Sequence, residues 1–412
     1  MTVKKDFPIF ANNPWLVFLD NGASTQKPQM VIDGVSEFVA HDYANIHRGL
    51  YSLSERSEEI YHKSKETVAE FIGCKASEVI YTYNSTYGIN LIAQSLVKSK
   101  FLKKWDVVLL GIWEHHANIL PWQILAEEYG FTIEFINLFP HPNPSPAERG
   151  SIGDYDIDWE DFEKKYDEKV KIVAVSHVSN VTGKIYDVKK IGEKLREETF
   201  FLIDGSQSVP NFPVNVGQID CDCLVFTAHK MMAYTGIGVV YLKKEYIKNL
   251  TPMIAGGGTV EDVTTHSYTL RSDGDKFEAG TPNIIGAVSL LKAIEYITSI
   301  GGIEKIWEHE MTLVQYFIKK LQIADCKLQI VWPLTLQGRI AVFSFVIPGM
   351  GNFNRIGEKF AEVNVSIRCG GHCAYPLHQA LDKQGTCRAS FYRYNDESDV
   401  DAFFEALKEI MK

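Results

Sequence analysis

The stretch that decides the fold is "FFLIDGSQSVPNFPVNVGQIDCDCLVFTAHK", residues 200–230. It contains two short apolar runs, at 200–203 and 223–226, with Asp204 directly after the first and Lys230 shortly after the second. Runs that are apolar on both faces are typical of buried parallel strands. The stretch therefore predicts two strands of a mostly parallel sheet, with an acid and a lysine at the ends where such sheets bind ligands.

Similar apolar runs surround this stretch, and helical patterns separate them. The segments 57–73 and 86–97 place apolar side chains at helical spacing, so both are predicted to be amphipathic helices. An alternation of this kind favours a doubly wound α/β fold. The further runs are "DVVLLG" (106–111), "IEFINL" (133–138), "KIVAVSHV" (171–178) and "GIGVVYLK" (236–243).

The organisation of the chain follows from its breaks. Residues 139–156 are rich in proline, glycine and polar residues and are predicted to form a surface loop, and Asp158 is predicted to cap the next helix. A long buried helix is expected with the segment "KFEAGTPNIIGAVSLLKAIEYITSIGG" (276–302), closed by Gly301 and Gly302. The predicted parts are an N-terminal segment (1–20) packing with the small domain, a large domain (21–295) and a smaller α+β domain (296–412).

Composition limits the functional classes. With 412 residues, 45% of them hydrophobic, the chain can bury a large core, and its net charge of −10 argues against a nucleic-acid partner. No apolar run approaches the ~20 residues of a membrane span, and no signal segment is recognised. Seven cysteines, an odd number, predict reduced thiols and a cytoplasmic location. "CDC" at 221–223 lacks a second ligand pair, so it predicts core packing, and no metal is expected.

Three polar pieces follow predicted strands and bring an imidazole, an acid and a lysine together. Pyridoxal phosphate chemistry requires a lysine that forms a Schiff base with the cofactor, an acid facing the pyridine nitrogen and a flat ring over the cofactor. Lys230, Asp204 and His115 are the candidates for these roles. The pieces are "EHHAN" (114–118), "DGSQ" (204–207) and "TAHK" (227–230).

Nine collinear segments carry a family resemblance over most of the chain, from about Phe18 to Asn395. The sequence resembles the class V aminotransferases, which are fold-type I pyridoxal phosphate enzymes, and most closely the group II cysteine desulfurases of the SufS and selenocysteine lyase type. The segments are "FLDNGASTQKPQ", "NIHRGLYSLSER", "EHHANILPWQ", "SHVSNVTG", "LIDGSQSVP", "AHKMMAYTGIG", "KFEAGTPNI", "RCGGHCAYPL" and "CRASFYRYN".

The resemblance implies a role for each residue of the cofactor site. Lys230 would hold pyridoxal phosphate covalently, Asp204 would face its pyridine nitrogen, and His115 would stack on the ring and carry protons. Gln207 would hydrogen-bond its phenolic oxygen. The remaining cofactor-binding residues would be Ser85, Thr86, Thr227 and His229, with Thr281 reaching the phosphate from the second subunit of a homodimer.

The resemblance also implies a substrate site and a reaction. Arg388 would bind the α-carboxylate of L-cysteine through its planar guanidinium, assisted by Asn180 and Arg368. Cys373 would take the substrate sulfur as a persulfide, leaving L-alanine, and pass it to an acceptor protein. L-selenocysteine is a further substrate of this enzyme type.

The chain departs from the family pattern in several places. The nucleophile loop has Cys369 where threonine is usual and Gly371 where histidine is usual, and the second glycine is expected to loosen the loop. Cys369 is expected to face the other side of the loop and not to be needed for the first sulfur transfer. Tyr87 replaces a glutamate and Tyr234 a proline, which leaves the substrate geometry open.

Two other classes of function stay open at this point. The first keeps the cofactor and changes the reaction to that of a C–S lyase, an epimerase or a transaminase, because a fold does not fix its chemistry. The second is a non-catalytic pyridoxal-fold protein that binds sulfur-transfer machinery. Products distinguish a lyase from a desulfurase, and the colour of bound cofactor distinguishes an enzyme from a non-catalytic partner.

Overall fold

The computed structural model describes residues 3–47, 49–140, 155–324, 328–331 and 334–412. Its centre is a seven-stranded sheet in which five neighbouring strands are parallel. One strand, β10 (Gly238–Leu242), is antiparallel to both of its neighbours. The predicted doubly wound, mostly parallel sheet is therefore confirmed. In spatial order the strands are β2 (Val79–Thr82), β10 (Gly238–Leu242), β9 (Cys223–Thr227), β8 (Phe200–Asp204), β7 (Val170–Ser176), β3 (Val107–Gly111) and β4 (Thr132–Ile136).

Two separate hydrophobic cores cover the two faces of this sheet. Along β7, Val173 and Val175 pack into one core and Ile172 and Ala174 into the other, as the alternation of a strand requires. Every residue of β8, β9 and β10 is buried, which explains why these strands are continuous apolar runs. The helices that follow or flank these strands are α2 (Gln29–His41), α3 (Ser52–Ile72), α4 (Ser85–Lys98), α5 (Leu120–Tyr129), α6 (Trp159–Lys165), α7 (Val188–Lys194), α9 (Lys244–Asn249) and α10 (Ile284–Ser299).

A smaller antiparallel sheet lies in the C-terminal part of the chain. A short N-terminal strand, β1 (Val17–Phe18), pairs in parallel with β15 (Val365–Ser366) beside it. The predicted domain boundaries, at residues 20 and 295, remain predictions. The small sheet has the order β13 (Gln329–Ile330), β14 (Val342–Val346), β17 (Thr386–Ser390) and β16 (Arg368–Gly370), and its helices are α11 (Ile303–Ile323), α12 (Phe353–Glu362) and α14 (Glu397–Ile410).

Two predicted helix boundaries agree with the structure, and one predicted loop boundary differs from it. Gly73 ends α3 in the left-handed conformation, with φ of 76°, and Asp158 caps α6. The predicted loop at 139–156 is wrong at its flanks, since β5 (Leu138–Pro140) and β6 (Tyr155–Ile157) pair in an antiparallel arrangement. The rest of that prediction, residues 141–154, lies outside the described residues.

The remaining elements are short. Within the described ranges, no single helix is long and apolar enough to cross a membrane, and only α10 and α11 taken together, bent by 69°, meet the requirements of length and composition. These short elements are α1 (Pro8–Asn12), α8 (Val216–Ile219), α13 (Tyr375–Ala380), β11 (Val260–Val263) and β12 (Tyr268–Leu270), with 3₁₀ turns at Lys4–Asp6, Ala76–Glu78, His116–Asn118, Ala228–Lys230 and Gly274–Phe277.

Candidate active site

A cavity of about 420 Å³ lies between the carboxyl ends of the large-sheet strands and the small sheet. A smaller inner cavity of about 30 Å³ adjoins it, is lined by Asp204 and Gln207, and shares Lys230 with the larger one. Most of the residues predicted from sequence therefore meet in one place. Those that line the larger cavity are Ser85, Thr86, His115, Asn180, Thr227, His229, Lys230, Arg368, Cys373 and Arg388.

Lys230 is held by the 3₁₀ turn that follows β9 directly. Burial lowers the pKa of Lys230 to about 8, although the nearby Asp204 carboxylate acts in the opposite direction. A lysine with a pKa close to neutral has a substantial unprotonated fraction, and only the unprotonated amine is a nucleophile or a base. The side chain is therefore suited to attack a carbonyl or to remove a proton.

Asp204 is the last residue of β8, is buried, and lines the inner cavity together with Lys230 and His115. Its Oδ1 accepts the backbone N–H of Ser206 at 2.9 Å, which fixes the orientation of the carboxylate. Gln207 lies three residues after Asp204 in the chain, and its Nε2 donates to the carbonyl of Gly22 at 2.7 Å. The inner cavity thus has a fixed buried acid, the group that would stabilise a protonated nitrogen.

His115 is a neutral, oriented imidazole. Its Nδ1 accepts the backbone N–H of Ala117 at 3.1 Å, which places the ring proton on Nε2. Burial, together with the positive charge of Lys230, lowers the pKa of His115 to about 4. A neutral ring of this kind can stack on a flat group and exchange a proton through Nε2.

At and just after the end of β9, two buried polar atoms of residues that line the cavity have no hydrogen-bond partner in the described part of the chain. They are Oγ1 of Thr227 and Nδ1 of His229, and burial lowers the pKa of His229 to about 4. Ser85 and Thr86 form the first turn of α4, a position where the helix dipole favours an anion. Since buried polar groups are normally satisfied, these residues fit an anionic group such as a phosphate.

Two arginines stand side by side at the small-sheet wall. Arg388 and Arg368 are direct partners in the pairing of β17 with β16, and both contact Asp20, at 3.2 and 3.1 Å. Their burial differs, because the side chain of Arg388 is 2% exposed and that of Arg368 is 50% exposed. Arg388 also donates to the carbonyl of Asn180 at 2.7 Å. A buried, oriented guanidinium is suited to bind a carboxylate.

The loop that carries Cys373 is anchored at both sides. The carbonyl of His372 accepts Nδ2 of Asn180 at 2.8 Å, and the carbonyl of Cys373 accepts the backbone N–H of His116 at 2.7 Å. His372 and Cys373 adopt left-handed φ values of 48° and 54°, which cost free energy in residues other than glycine. These anchors hold an exposed thiol at the cavity in a defined conformation.

The second glycine of this loop does not loosen it as the sequence suggested. A Cβ atom at Gly371 would lie 2.2 Å from Cε1 of Tyr375, so the tyrosine ring occupies the space that a side chain would need. The ring also lies 5.0 Å from that of His116, whose Nε2 accepts the backbone N–H of Tyr375 at 3.1 Å. Gly371 and Tyr375 are therefore complementary, and the loop is packed at this point.

Sequence reasoning missed two acidic residues. Glu114 is buried and accepts from Ser176 N, Ser176 Oγ and Asn118 Nδ2, each at 2.7 Å, and burial raises its pKa to about 8 despite these donors. It joins the ends of β3 and β7 and so positions His115. Asp20 is the common partner of the two arginines. The acid beside two histidines in "EHHAN" was a signal for Glu114, and no local signal identified Asp20.

Some predicted residues lie away from the cavity. Thr281 is exposed and lines neither the outer nor the inner cavity, so its role through a second subunit remains a prediction. Tyr87 lines a different cavity, of about 370 Å³. Cys221 and Cys223 are buried in the two cores, which confirms the packing prediction. Within the described ranges, no group of three or more histidine, cysteine or acidic side chains is placed to hold a metal ion.

Comparisons with known proteins agree with this arrangement. The chain matches the family model described as "Aminotransferase class-V" over residues 17–403. A "Probable cysteine desulfurase" of Pyrococcus abyssi is 37% identical over 414 residues, covering 100% of this chain and 97% of that protein.

Two solved structures have the same fold. The apo cysteine desulfurase of Thermococcus onnurineus NA1 has a TM-score of 0.89 and 34% identity, covering 99% of this chain and 97% of that one. The cysteine desulfurase CsdA of Escherichia coli, in an S-sulfonic acid form, has a TM-score of 0.86 and 28% identity over 99% and 97% of the two chains. Given its fold, its site and these matches, the chain belongs to the class V aminotransferase family.

Proposed function

We propose that this protein is a pyridoxal phosphate-dependent cysteine desulfurase, which converts L-cysteine to L-alanine and carries the sulfur as a persulfide on Cys373. The observation that carries the proposal is that Lys230, Arg388 and Cys373 line a single cavity of about 420 Å³. A covalent anchor for the cofactor, a carboxylate binder and an accessible thiol are the groups that this reaction needs. The similarity to cysteine desulfurases over the whole chain supports the same function.

The residues present fit the cofactor. Pyridoxal phosphate, when bound, withdraws electrons from the substrate Cα and so weakens the bonds at that carbon. Lys230 would hold its aldehyde carbon, Asp204 would keep its nitrogen protonated, and His115 would cover its ring. The unpartnered Thr227 Oγ1 and His229 Nδ1 would donate to its phosphate.

The substrate would be oriented by its carboxylate. Arg388 presents a planar guanidinium that is fixed by Asn180 and Asp20, so little entropy is lost when it binds a carboxylate. The more exposed Arg368 would add its charge at the rim of the cavity. Orientation of this kind would bring the substrate Cα towards Lys230 and the substrate sulfur towards Cys373.

The chain's own groups then move protons and sulfur. Lys230, whose pKa is lowered to about 8, would take the Cα proton. The Cys373 thiolate would attack the substrate sulfur, so that an S–S bond forms while the C–S bond breaks and its electron pair stays with Cβ. Protonation of that carbon and return of a proton to Cα complete alanine, and the persulfide remains on the protein.

Partners and location extend the proposal. We infer a homodimer, since Thr281 lies outside the cavities of its own chain, and a sulfur-acceptor protein that takes the persulfide from the exposed Cys373. L-Selenocysteine would fit the same site, because selenium replaces sulfur with little change in size. The six cysteines in the described part of the chain are free thiols, which is typical of a reducing compartment such as the cytoplasm.

Product analysis tests the proposed function. The purified protein, supplied with pyridoxal phosphate, L-cysteine and a reducing thiol, should turn yellow and form alanine and sulfide in equal amounts. Pyruvate and ammonia in place of alanine would identify a C–S lyase, and a colourless, inactive protein would identify a non-catalytic partner. A parallel incubation with L-serine is the control, because serine offers the same carboxylate and amine without sulfur.

The two arginines give a matched pair for testing substrate binding. We expect Arg388→Lys to raise the KM for L-cysteine at least about tenfold, since a charge-assisted hydrogen bond contributes about 1.5–3 kcal/mol. Arg368→Lys should change KM less than about fivefold, because exposed charge pairs contribute about 1 kcal/mol or less. Steady-state kinetics with cofactor absorbance as the folding check measures both, and equal effects would contradict the assignment of Arg388.

A further inference from the structure

Two thiols meet on the small sheet, next to the loop that carries Cys373. Cys369 in β16 is the direct partner of Cys387 in β17, and their Sγ atoms are 2.6 Å apart. The neighbouring pair in the same two strands is Arg368 with Arg388, whose side chains reach Asp20. Because successive side chains of a strand point to opposite faces, the two thiols lie on the face away from the arginines.

The surroundings of the thiols confirm this orientation. Sγ of Cys369 lies 3.2 Å from the position of a Cβ atom built on Gly357, a residue of α12. Cys387 is fully buried in the core of the small sheet, and its Sγ is 3.8 Å from the carbonyl oxygen of Phe353. The pair is thus packed under α12, while Cys369 also forms part of the wall of the cavity that Cys373 lines.

We propose that Cys369 and Cys387 form an oxidisable dithiol that closes a reversible cross-strand disulfide, a modification site distinct from Cys373. Directly opposed residues of an antiparallel pair have Cα atoms about 4.5–5.5 Å apart, inside the range of about 4.4–6.8 Å that a disulfide requires. Closing the bond therefore needs no change in strand register.

The oxidant that fits is hydrogen peroxide, whose two oxygen atoms leave as two waters. Cys369, the less buried of the two, attacks the peroxide oxygen as a thiolate and becomes a sulfenic acid while water leaves. The Cys387 sulfur then attacks Cys369, the S–S bond forms, and the oxygen leaves as a second water. Two electrons and two protons leave the thiols, and a small dithiol restores both.

The rate of closure should depend on pH. The pKa of the Cys387 thiol is raised, first by its hydrogen bond with Cys369 and then by burial. Cys387 must lose its proton when the bond forms, so the closure becomes faster as pH rises.

Cys373 is the competing partner for Cys369, since it is only four residues away. Its loop is tied to the opposite wall through the contact of the Cys373 carbonyl with His116 and that of the His372 carbonyl with Asn180. A bond between Cys369 and Cys373 would break these contacts and turn Cys369 away from Cys387. The geometry therefore favours Cys387.

Peptide mapping of the full-length protein tests the site. Trypsin cuts after Arg368, Lys383 and Arg388, so Cys369 and Cys373 share the peptide 369–383 and Cys387 lies in the peptide 384–388. After oxidation with hydrogen peroxide, alkylation of free thiols and digestion without reduction, mass spectrometry should detect the two peptides linked. The linked pair should disappear after dithiothreitol.

Three variants complete the design. Cys373→Ser should still give the linked pair, which assigns the bond to Cys369 and does not depend on the proposed desulfurase activity. Cys387→Ser and Cys369→Ser should each abolish it. Two results with the wild-type protein would overturn the proposal. One is a disulfide within peptide 369–383, and the other is that Cys369 and Cys387 remain free thiols when Cys373 is already fully oxidised. Both are measured on the unaltered protein, so neither depends on whether a variant folds.

Discussion

Lys230→Ala is expected to leave the protein without covalently held pyridoxal phosphate and to lower alanine formation by about 100- to 10,000-fold, the range by which a positioned general base contributes. Lys230 lies in the turn that directly follows β9 in the chain and is near the buried Asp204. Burial lowers the pKa of Lys230 to about 8, which makes its amine a nucleophile and a base. Borohydride reduction followed by peptide mass spectrometry measures the attachment directly, since the reduced cofactor remains on the lysine that bound it.

Lys27 provides a matched control for this experiment. Burial lowers the pKa of Lys27 to about 8 as well, and its Nζ lies 3.4 Å from the carbonyl oxygen of His229. Lys27 does not line the cavity, however, because it points to backbone carbonyls on the other side of the turn. Lys27→Ala should therefore keep the borohydride-fixed cofactor on Lys230. If borohydride fixed the cofactor in Lys230→Ala and not in Lys27→Ala, the assignment of Lys230 as the cofactor-binding lysine would be wrong.

Cys373→Ser is expected to abolish the protein-bound persulfide and to lower alanine formation by about 100-fold or more, because a hydroxyl is not ionised near neutral pH and only a thiolate accepts the sulfur. Cofactor absorbance should be unchanged, since Cys373 contributes nothing to the residues that would hold the phosphate. Mass spectrometry after a single turnover with L-cysteine measures the persulfide and locates it.

Cys369→Ser is the control for that substitution. The Cys369 thiol lies on the sheet face away from the arginines, so the first sulfur transfer should proceed at nearly the rate of the unaltered protein. A persulfide on Cys369 and never on Cys373, or full alanine formation in Cys373→Ser, would contradict the assignment of Cys373.

The sequence predicted the large sheet well because its inner strands are buried on both faces. Every position of β8 and β9 is buried, and their first four residues form apolar runs that are typical of strands in an α/β pattern. The short edge strand β2 was missed, since "VIYT" gives no comparable run. The strands β5 and β6 were missed because the proline- and glycine-rich residues between them predict a loop. Their pairing depends on contacts between the two strands, and no local sequence pattern indicates it.

The sequence predicted those site residues that directly follow a recognisable strand. Asp204 and Lys230 follow β8 and β9, and parallel strands bring their carboxyl ends to one edge of the sheet. Asp20 was not predictable, because it acts through Arg388, 368 residues away in the chain. The pairing of Cys369 with Cys387 and the fit of Tyr375 against Gly371 likewise exist only once distant segments have met.

The pairing of β1 with β15 sets the order in which the molecule can be completed during synthesis. Asp20 and its partner Arg368 are separated by 348 residues, and Asp20 and Arg388 by 368. At about 5–20 residues per second, the ribosome releases the N-terminal strand on the order of 20–70 s before its partners exist. The seven strands of the large sheet emerge within that interval. A nascent chain therefore acquires the groups that would bind the cofactor first, and the substrate-binding wall last.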